Sequence, residues 1–389
     1  MQTKLLFFAL SLSLMLTVGI VKVFSSDCIP DANGIVTCND FNANATLNID
    51  LRIATKHDPA VNKKTFGTMS YVLYQQRKFT RNTNCWAYDL DLTCASPFNS
   101  RGGTQRAGTL ITPRHIMLAE HFPYTVGDSV FFITKDNQTI RRKVIGESFN
   151  VSADIQLVTI DKDVPTTITP ALFLPSDYGK YLANNGKGLP TLYFDQEENA
   201  LVAEVGLINS SGWFYQQTPT NANRFALYED LILGDSGDPC FLVLSGKLIL
   251  LNTITGGGPG SGPSLSYYAN LPDGGSASNI SLNDLIKLSD AKGSVNTGYK
   301  VKYFDFTGTS AVNLPSKPKD LVISTAKSIR IVLADSNVPT EMQIRDLSGR
   351  LIKQQTIVNH FEYDVLQEGV YFVTLNSNRS KNTHKVVLK

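Results

Sequence analysis

The feature that most limits how this chain can fold is its punctuation. From residue 66 to about 286, short apolar runs alternate with clusters of glycine, proline, asparagine and aspartate. Gly108-Thr-Leu-Ile-Thr-Pro, Ser129-Val-Phe-Phe-Ile-Thr, Ile155-Gln-Leu-Val-Thr-Ile and Cys240-Phe-Leu-Val-Leu are representative. Each is roughly four to eight residues long and rich in β-branched and aromatic side chains, which suit a half-buried pleated surface. An amphipathic helix needs apolar residues every three to four positions, and that period is scarce. The segment reads as all-β, an antiparallel barrel or sandwich. Residues 282–290 are the best short helix, with Ser281 as its cap. Gly256-Gly-Gly-Pro-Gly-Ser-Gly-Pro reads as a surface loop.

The 389 residues leave room for two domains plus short accessories. Lys4, an apolar run over residues 5–20 and small Ser25-Ser26 have the layout of a secretory signal peptide at 1–26. No later run is long and apolar enough for a span, so no membrane span is expected after signal removal. Residues 27–65 form an N-terminal segment without evident purpose, and 66–290 the main domain. Residues 291–316, poor in large aliphatics, read as a linker. Residues 317–389 return to short strands, among them Leu321-Val-Ile-Ser and Gly369-Val-Tyr-Phe-Val-Thr-Leu, and read as a separate small β-sandwich. Lys plus Arg (36) nearly balance Asp plus Glu (34), without a single-sign block, which argues against nucleic acid or an anionic membrane as partner. In an exported chain, the two close cysteine pairs suggest local disulfides, Cys28–Cys38 and Cys85–Cys94, with Cys240 left as a buried thiol. No Cys or His pair has zinc-ligand spacing. No metal or organic cofactor is implied.

Three segments carry chemistry-bearing residues: Leu110-Ile-Thr-Pro-Arg-His-Ile-Met-Leu-Ala-Glu-His121, Ala153-Asp154-Ile-Gln-Leu-Val-Thr-Ile and Leu233-Gly-Asp-Ser236-Gly-Asp-Pro239. Serine is a weak nucleophile at neutral pH. It needs an imidazole to take its proton, a carboxylate to hold that imidazole, and donors where an oxyanion develops. Gly234, two residues before Ser236, lets the backbone turn so that the amides of Gly234 and Ser236 point at one spot. Taken singly, each residue also has an ordinary reading: a surface histidine, a cap aspartate, a turn serine.

Taken together and in this order, the segments resemble the trypsin-like (chymotrypsin-fold) serine peptidases over roughly residues 66–290. The resemblance implies a double six-stranded β-barrel with the site between the barrels, His121 as base, Asp154 as its orienting carboxylate and Ser236 as nucleophile. The implied activity is endopeptidase hydrolysis of a protein or peptide substrate through an acyl-enzyme. Departures are visible. Phe122 stands where a cysteine often follows the histidine, Glu120 adjoins the base, and Asp238 replaces a small residue. No Arg-Ile-Val-Gly-Gly activation sequence is present, so Asp235, which in activated members pairs with a new N-terminus, needs another partner. Asp230 occupies the position of an acidic pocket floor, or else is a solvated loop acid. Thr253, Thr255 and Gly256 fall where a substrate-binding pocket wall is expected. A catalytically silent homologue acting as a secreted binding or adhesion module is the alternative, and an esterase on the same fold a weaker one.

The C-terminal segment has its own resemblance. Ile344-Arg-Asp-Leu-Ser-Gly-Arg, Tyr363-Asp-Val-Leu-Gln-Glu-Gly-Val-Tyr-Phe-Val and the terminal Lys385-Val-Val-Leu-Lys look like the sorting domain of type IX secretion cargo. This implies the type IX secretion machinery as a partner and a secreted or cell-surface location. A β-sandwich that binds carbohydrate or another protein is the alternative for this domain.

Overall fold

A computed structural model describes residues 28–30, 35–38, 40–54, 62–69, 79–101, 104–307, 310–313, 321–324, 328–333, 339–358, 360–364, 368–377 and 380–388. The expected signal peptide lies outside the described residues. The chain divides into two compact units, Met1–Asn313 and Leu314–Lys389.

The first unit is built on two six-stranded antiparallel sheets. One comprises β1 (Ala95–Arg101), β2 (Thr104–Thr112), β3 (His115–Ala119), β4 (Ser129–Ile133), β5 (Thr139–Asn150) and β6 (Ile155–Ile160), in the order β1-β2-β3-β6-β5-β4. Its two outer strands also approach each other, which nearly closes the sheet into a barrel. The other comprises β7 (Pro190–Phe194), β8 (Ala200–Ser210), β9 (Trp213–Gln217), β10 (Pro239–Leu244), β11 (Lys247–Thr253) and β12 (Ser261–Pro263), in the order β11-β10-β7-β8-β9-β12. Read around the circle from its first strand, this is β7-β8-β9-β12-β11-β10, the same sequence of neighbours as in the first sheet. The two halves are one topology used twice.

Two of the runs read from sequence, those of β6 and β10, are among the strands buried throughout. Every residue of β3, β6, β7 and β10 is buried, as continuous apolar runs require. The last half of β5 instead alternates between buried and more exposed positions, as for a strand with one solvated face. Leu110, Ile116, Phe132, Leu157, Leu192 and Phe241 lie in one core cluster that draws on both sheets. Burial of each such side chain stabilises by about 1.5–3 kcal/mol.

The glycine-rich 256–263 stretch is not only a surface loop: its end forms β12, the closing strand of the second sheet, and Gly260, Gly262 and Pro263 are buried. A side chain at Gly262 would run into the Thr253 carbonyl, so the strand is made of glycine because another backbone lies against it. The expected short helix is present as Leu282–Lys292, and the Ser281 hydroxyl accepts from the Asp284 amide at 3.0 Å.

The N-terminal segment, whose purpose the sequence leaves open, is structured, and the expectation of a linker at 291–316 is corrected. Residues 27–65 contain a 14-residue helix, α1 (Phe41–Ala54), begun by Asp40, whose Oδ1 accepts from the amides of Asn42 and Ala43 at 2.7 and 2.8 Å. Its polar stripe Asn44, Asn48, Arg52 is buried. Asn44 and Asn48 accept from the amides of Ser245 and Gly246, in the β10–β11 turn, at 2.7 and 3.2 Å. Arg52 pairs with Asp89, just before the first sheet, at 2.6 Å. Residues 291–316 are not a free linker as far as the unit boundary. Val301, Phe304 and Phe306 are buried, Phe304 N–H donates to the Phe173 carbonyl at 2.8 Å, and Ser310–Asn313 pairs with Ile35–Cys38. Aromatic and β-branched residues there have a surface to cover, which composition alone does not reveal.

Expected disulfides are corrected in part. Cys28 stands opposite Cys38 in the register of two paired strands. No bridge joins Cys85 to Cys94. Cys94 is a buried thiol pushed up to about 12, chiefly by burial, and Cys85 is buried with its Sγ 3.9 Å from the Lys63 carbonyl. Cys240 is buried as expected, and burial raises its thiol as well.

The second unit holds a three-stranded sheet, β13 (Leu321–Ser324), β14 (Ser328–Val332) and β17 (His360–Asp364), and a four-stranded one, β15 (Thr340–Asp346), β16 (Leu351–Ile357), β18 (Gly369–Ser377) and β19 (Ser380–Leu388). Ile329, Ile331, Met342, Ile344, Val373 and Leu375, each pair two apart on its strand, form one apolar cluster between them.

A buried polar network fastens the Leu282–Lys292 helix to the first sheet. His115 Nε2 lies 2.9 Å from Asp290 Oδ1, and its Nδ1 lies 2.6 Å from the Thr112 hydroxyl. Thr297 donates to Asp290 Oδ2 through its amide (2.9 Å) and hydroxyl (2.7 Å). Burial holds His115 below the ordinary histidine value of 6.5, outweighing the attraction of Asp290. Burial opposes ionisation of Asp290, but the Thr297 and His115 bonds hold its carboxyl below the usual 3.8. Both groups are depressed in the folded state. Their stabilisation is therefore complete above pH 6.5 and is lost as pH falls, first through His115 and then through Asp290. Asp290→Ala is expected to lower stability by about 3 kcal/mol in denaturant melts, because it strands the buried partners. His115→Gln is expected to flatten the decline in melting temperature between pH 7 and pH 5.

Candidate active site

His121 sits two residues past the end of β3, and Asp154 one residue before β6. These strands pair with Ala119 opposite Ile155, so the register itself brings the two residues together. Glu120 N–H donates to the Asp154 carbonyl at 3.2 Å, and His121 N–H donates to Asp154 Oδ1 at 2.8 Å. Asp154 caps the turn Val151–Ala153 in the left-handed region at φ 55°, a conformation aspartate tolerates better than most residues. Its carboxylate lies 2.9 and 2.8 Å from His121 Nδ1 and accepts the Thr255 hydroxyl at 2.7 Å. With the carboxylate ionised, these partners assign the ring proton to Nδ1 and leave Nε2 as an acceptor.

Ser236 comes from the other sheet, on the loop entering β10. Its Oγ lies 2.8 Å from His121 Nε2. The loop is shaped by two glycines at positive φ, Gly234 (113°) and Gly237 (88°). Gly237 rests on the first sheet: a Cβ there would lie 3.4 Å from the Ala107 carbonyl and 3.5 Å from the Ala119 amide. Gly237 N–H donates to the Ile254 carbonyl at 2.9 Å. Among the described residues, the amides of Gly234 and Ser236 donate to no protein carbonyl. The Gln196 carboxamide lies against Gly234, with its Cδ 2.9 Å from where a Cβ would be.

Asp235 has the partners its sequence context required. Its Oδ1 accepts from Gln196 N–H at 3.0 Å and its Oδ2 from Ile232 N–H at 2.7 Å. The loop carrying Gln196 is itself fixed by Asp195, which accepts from the amides of Glu197 and Asn199 at 3.0 and 2.9 Å. The partners of Asp235 are thus two backbone amides, and sequence reasoning had no signal for either.

The loop after His121 lacks a bracketing disulfide but is braced otherwise. Arg106 stacks over the Phe122 ring at 4.2 Å and donates to the Pro123 carbonyl at 2.6 Å. Gln156 clamps Tyr124 through both amide and carbonyl, at 2.8 and 2.6 Å. Glu120 contributes its backbone here, and its side chain enters none of the hydrogen bonds of the site.

The pocket residues fall differently. Thr255 donates its hydroxyl to the Asp154 carboxylate, as above. Gly256 pairs with Ser261, and Thr253 is buried at the end of β11. Asp230 is exposed and accepts the Tyr228 hydroxyl; it is a solvated loop acid, not a buried carboxylate.

Asp238 is buried, with Oδ2 unpartnered. Burial first, then the charges of Glu198, Asp235 and Asp195, push its carboxyl well above the usual range. An unfolded chain would release this proton above 3.8, so folding becomes less favourable as pH rises past that value. Asp238→Asn keeps the shape and removes the ionisable group. It is expected to raise stability by about 1 kcal/mol or more, with a gain that grows from pH 5 to pH 8 in thermal melts.

Comparison with known proteins identifies the C-terminal unit. Residues 325–389 match the family model of the secretion system C-terminal sorting domain. A solved DUF3244-family protein from Bacteroides vulgatus, with an immunoglobulin-like β-sandwich fold, matches at 10% identity and a TM-score of 0.17, covering 18% of this chain and 84% of that one. No curated protein matches. Among the described residues, no helix is long and apolar enough to cross a membrane. The chain carries a type IX sorting domain at its C-terminus and is a secreted or cell-surface protein.

Proposed function

We propose that the first unit is a serine endopeptidase that cleaves proteins or peptides through an acyl-enzyme. The observation that carries this reading is the relay from Ser236 Oγ to His121 Nε2 (2.8 Å) and from His121 Nδ1 to Asp154 (2.8 Å). His121 accepts the hydroxyl proton as Ser236 attacks a carbonyl carbon. The imidazolium formed is stabilised by Asp154, which Thr255 keeps in place. Negative charge on the former carbonyl oxygen is met by the amides of Gly234 and Ser236. One such donor is worth about 3–4 kcal/mol of transition-state stabilisation. His121 then protonates the leaving amine, and water repeats the sequence to release the acyl group. The ring is 46% exposed and Asp154 13%, so substrate can reach the base while the carboxylate stays shielded.

A fluorophosphonate probe is expected to label the folded wild type and not Ser236→Ala, and casein turnover is expected to fall at least about 1,000-fold in that variant. Unlabelled, well-folded wild type would favour the catalytically silent alternative. Deletion of residues 314–389, which form their own compact unit, is expected to leave the protein inside a type IX-competent bacterium, read by fractionation and immunoblot.

A further inference from the structure

The resemblance to trypsin-like peptidases puts Asp230 at the floor and Thr253, Thr255 and Gly256 in the wall of the pocket for an acyl side chain on Ser236, between the chain entering the nucleophile loop and the chain leaving β11. In this protein those two chains are joined. Leu231 N–H donates to the Gly258 carbonyl at 2.7 Å, and Gly258 N–H donates to the Leu231 carbonyl at 3.0 Å. A reciprocal pair of this kind leaves no room for a side chain between the two backbones at that level. One residue along, a Cβ on Gly257 would lie 2.8 Å from the Leu231 carbonyl. The run of glycines at 256–258 is what permits so close an approach.

Below the joined backbones the space is filled. A Cβ on Gly260 would collide with the Gln216 carboxamide oxygen and lie 2.8 Å from Leu231 Cδ1. Leu231 and Gln216 are both buried. Asp230 lies beyond the joined pair and is exposed, with the Tyr228 hydroxyl on its carboxylate. At the rim stand Ile232, 63% exposed, and Leu233, 98% exposed.

Resting on the endopeptidase reading, we infer that Leu231 and Gly258 close the pocket beside Ser236 to a shallow apolar recess that admits only a small side chain at the cleaved position. Alanine, glycine and serine fit. Arginine, lysine and the aromatic residues do not, and Asp230, the acid expected at the pocket floor, is exposed and so gives a cation no buried partner. Leu231 is the specificity-determining residue.

The test is the rate at which peptidyl phosphonate diphenyl esters label Ser236 in the full chain lacking its signal peptide, with Ala-, Phe- and Arg-like side chains next to the phosphorus. The Ala-type probe is expected to react about 100-fold faster than either other, the upper range for apolar pocket discrimination. Equal or faster reaction of the Phe- or Arg-type probe would overturn the shallow pocket while leaving the peptidase intact. Failure of all three, and of a small fluorophosphonate, would instead strike the endopeptidase reading itself. Leu231→Ala, if its melt shows a folded protein, is expected to narrow the Ala-to-Phe ratio about tenfold. An unchanged ratio would remove Leu231 from the role.

Discussion

The site depends on a contact between backbones more than on any single side chain. Gly237 lies against Ala107 and Ala119, and this is where a loop from the second sheet meets strands of the first. A methyl group there would sit at ordinary contact distance from both, but φ 88° disfavours any side chain. Ser236 lies 2.8 Å from His121 on a loop whose turn is made by glycines on both sides of it. The hydroxyl, the ring and the carboxylate are then fixed by strand register on one side and by glycine on the other. Neither fixture requires the side chains to find one another.

Holding two sheets at one relative position needs more than that contact. The α1 helix touches the second sheet through Asn44 and Asn48 at the Ser245-Gly246 turn, and reaches Asp89, beside the first sheet, through Arg52. Asp50 adds a two-pronged bond to Arg224, which also meets Glu204 on β8 at 2.8 Å. On the far side, the His115–Asp290 network ties the helix after the second sheet back to β2 and β3. The strand that ends near His121 thus begins at a buried anchor. Segments outside the two sheets hold them in register as buried polar clamps, which are directional where apolar packing is not.

How much of this was legible in sequence follows from what each signal reports. β6, β10, β11 and the strands of the C-terminal unit announce themselves because their side chains are apolar and β-branched in short runs. α1 is silent because its inward face carries Asn44, Asn48 and Arg52, polar residues spaced four apart, and an apolar period cannot register a polar stripe. β12 is silent for the opposite reason, since Ser261-Gly262-Pro263 has almost no side chain to read. The His121, Asp154 and Ser236 segments were readable as a set, because register and glycine placement leave marks in the chain. The partners of Asp235 were not, because backbone amides look alike in any sequence. The cysteines misled for a related reason: nearness along the chain at Cys85 and Cys94 says nothing of where two buried thiols point.

The acids around the nucleophile loop show why a fold would keep groups that oppose its stability. Asp195, Glu198, Asp235 and Asp238 are all buried there. Asp235 and Asp195 each accept from two backbone amides, and these bonds fix the loops around Gly234. Asp238 has no such task in the hydrogen bonds of the loop, and burial, then its neighbours' charges, push its carboxyl well above the usual range. Asp238 N–H donates to the Asp235 carbonyl at 3.2 Å, so a carboxyl with an unpartnered oxygen is buried in the same turn, at some expense in folding free energy. The order of the site and the cost of the fold trace to the same crowding of carboxyls, with Asp235 bonded to two amides and Asp238 Oδ2 left without a partner.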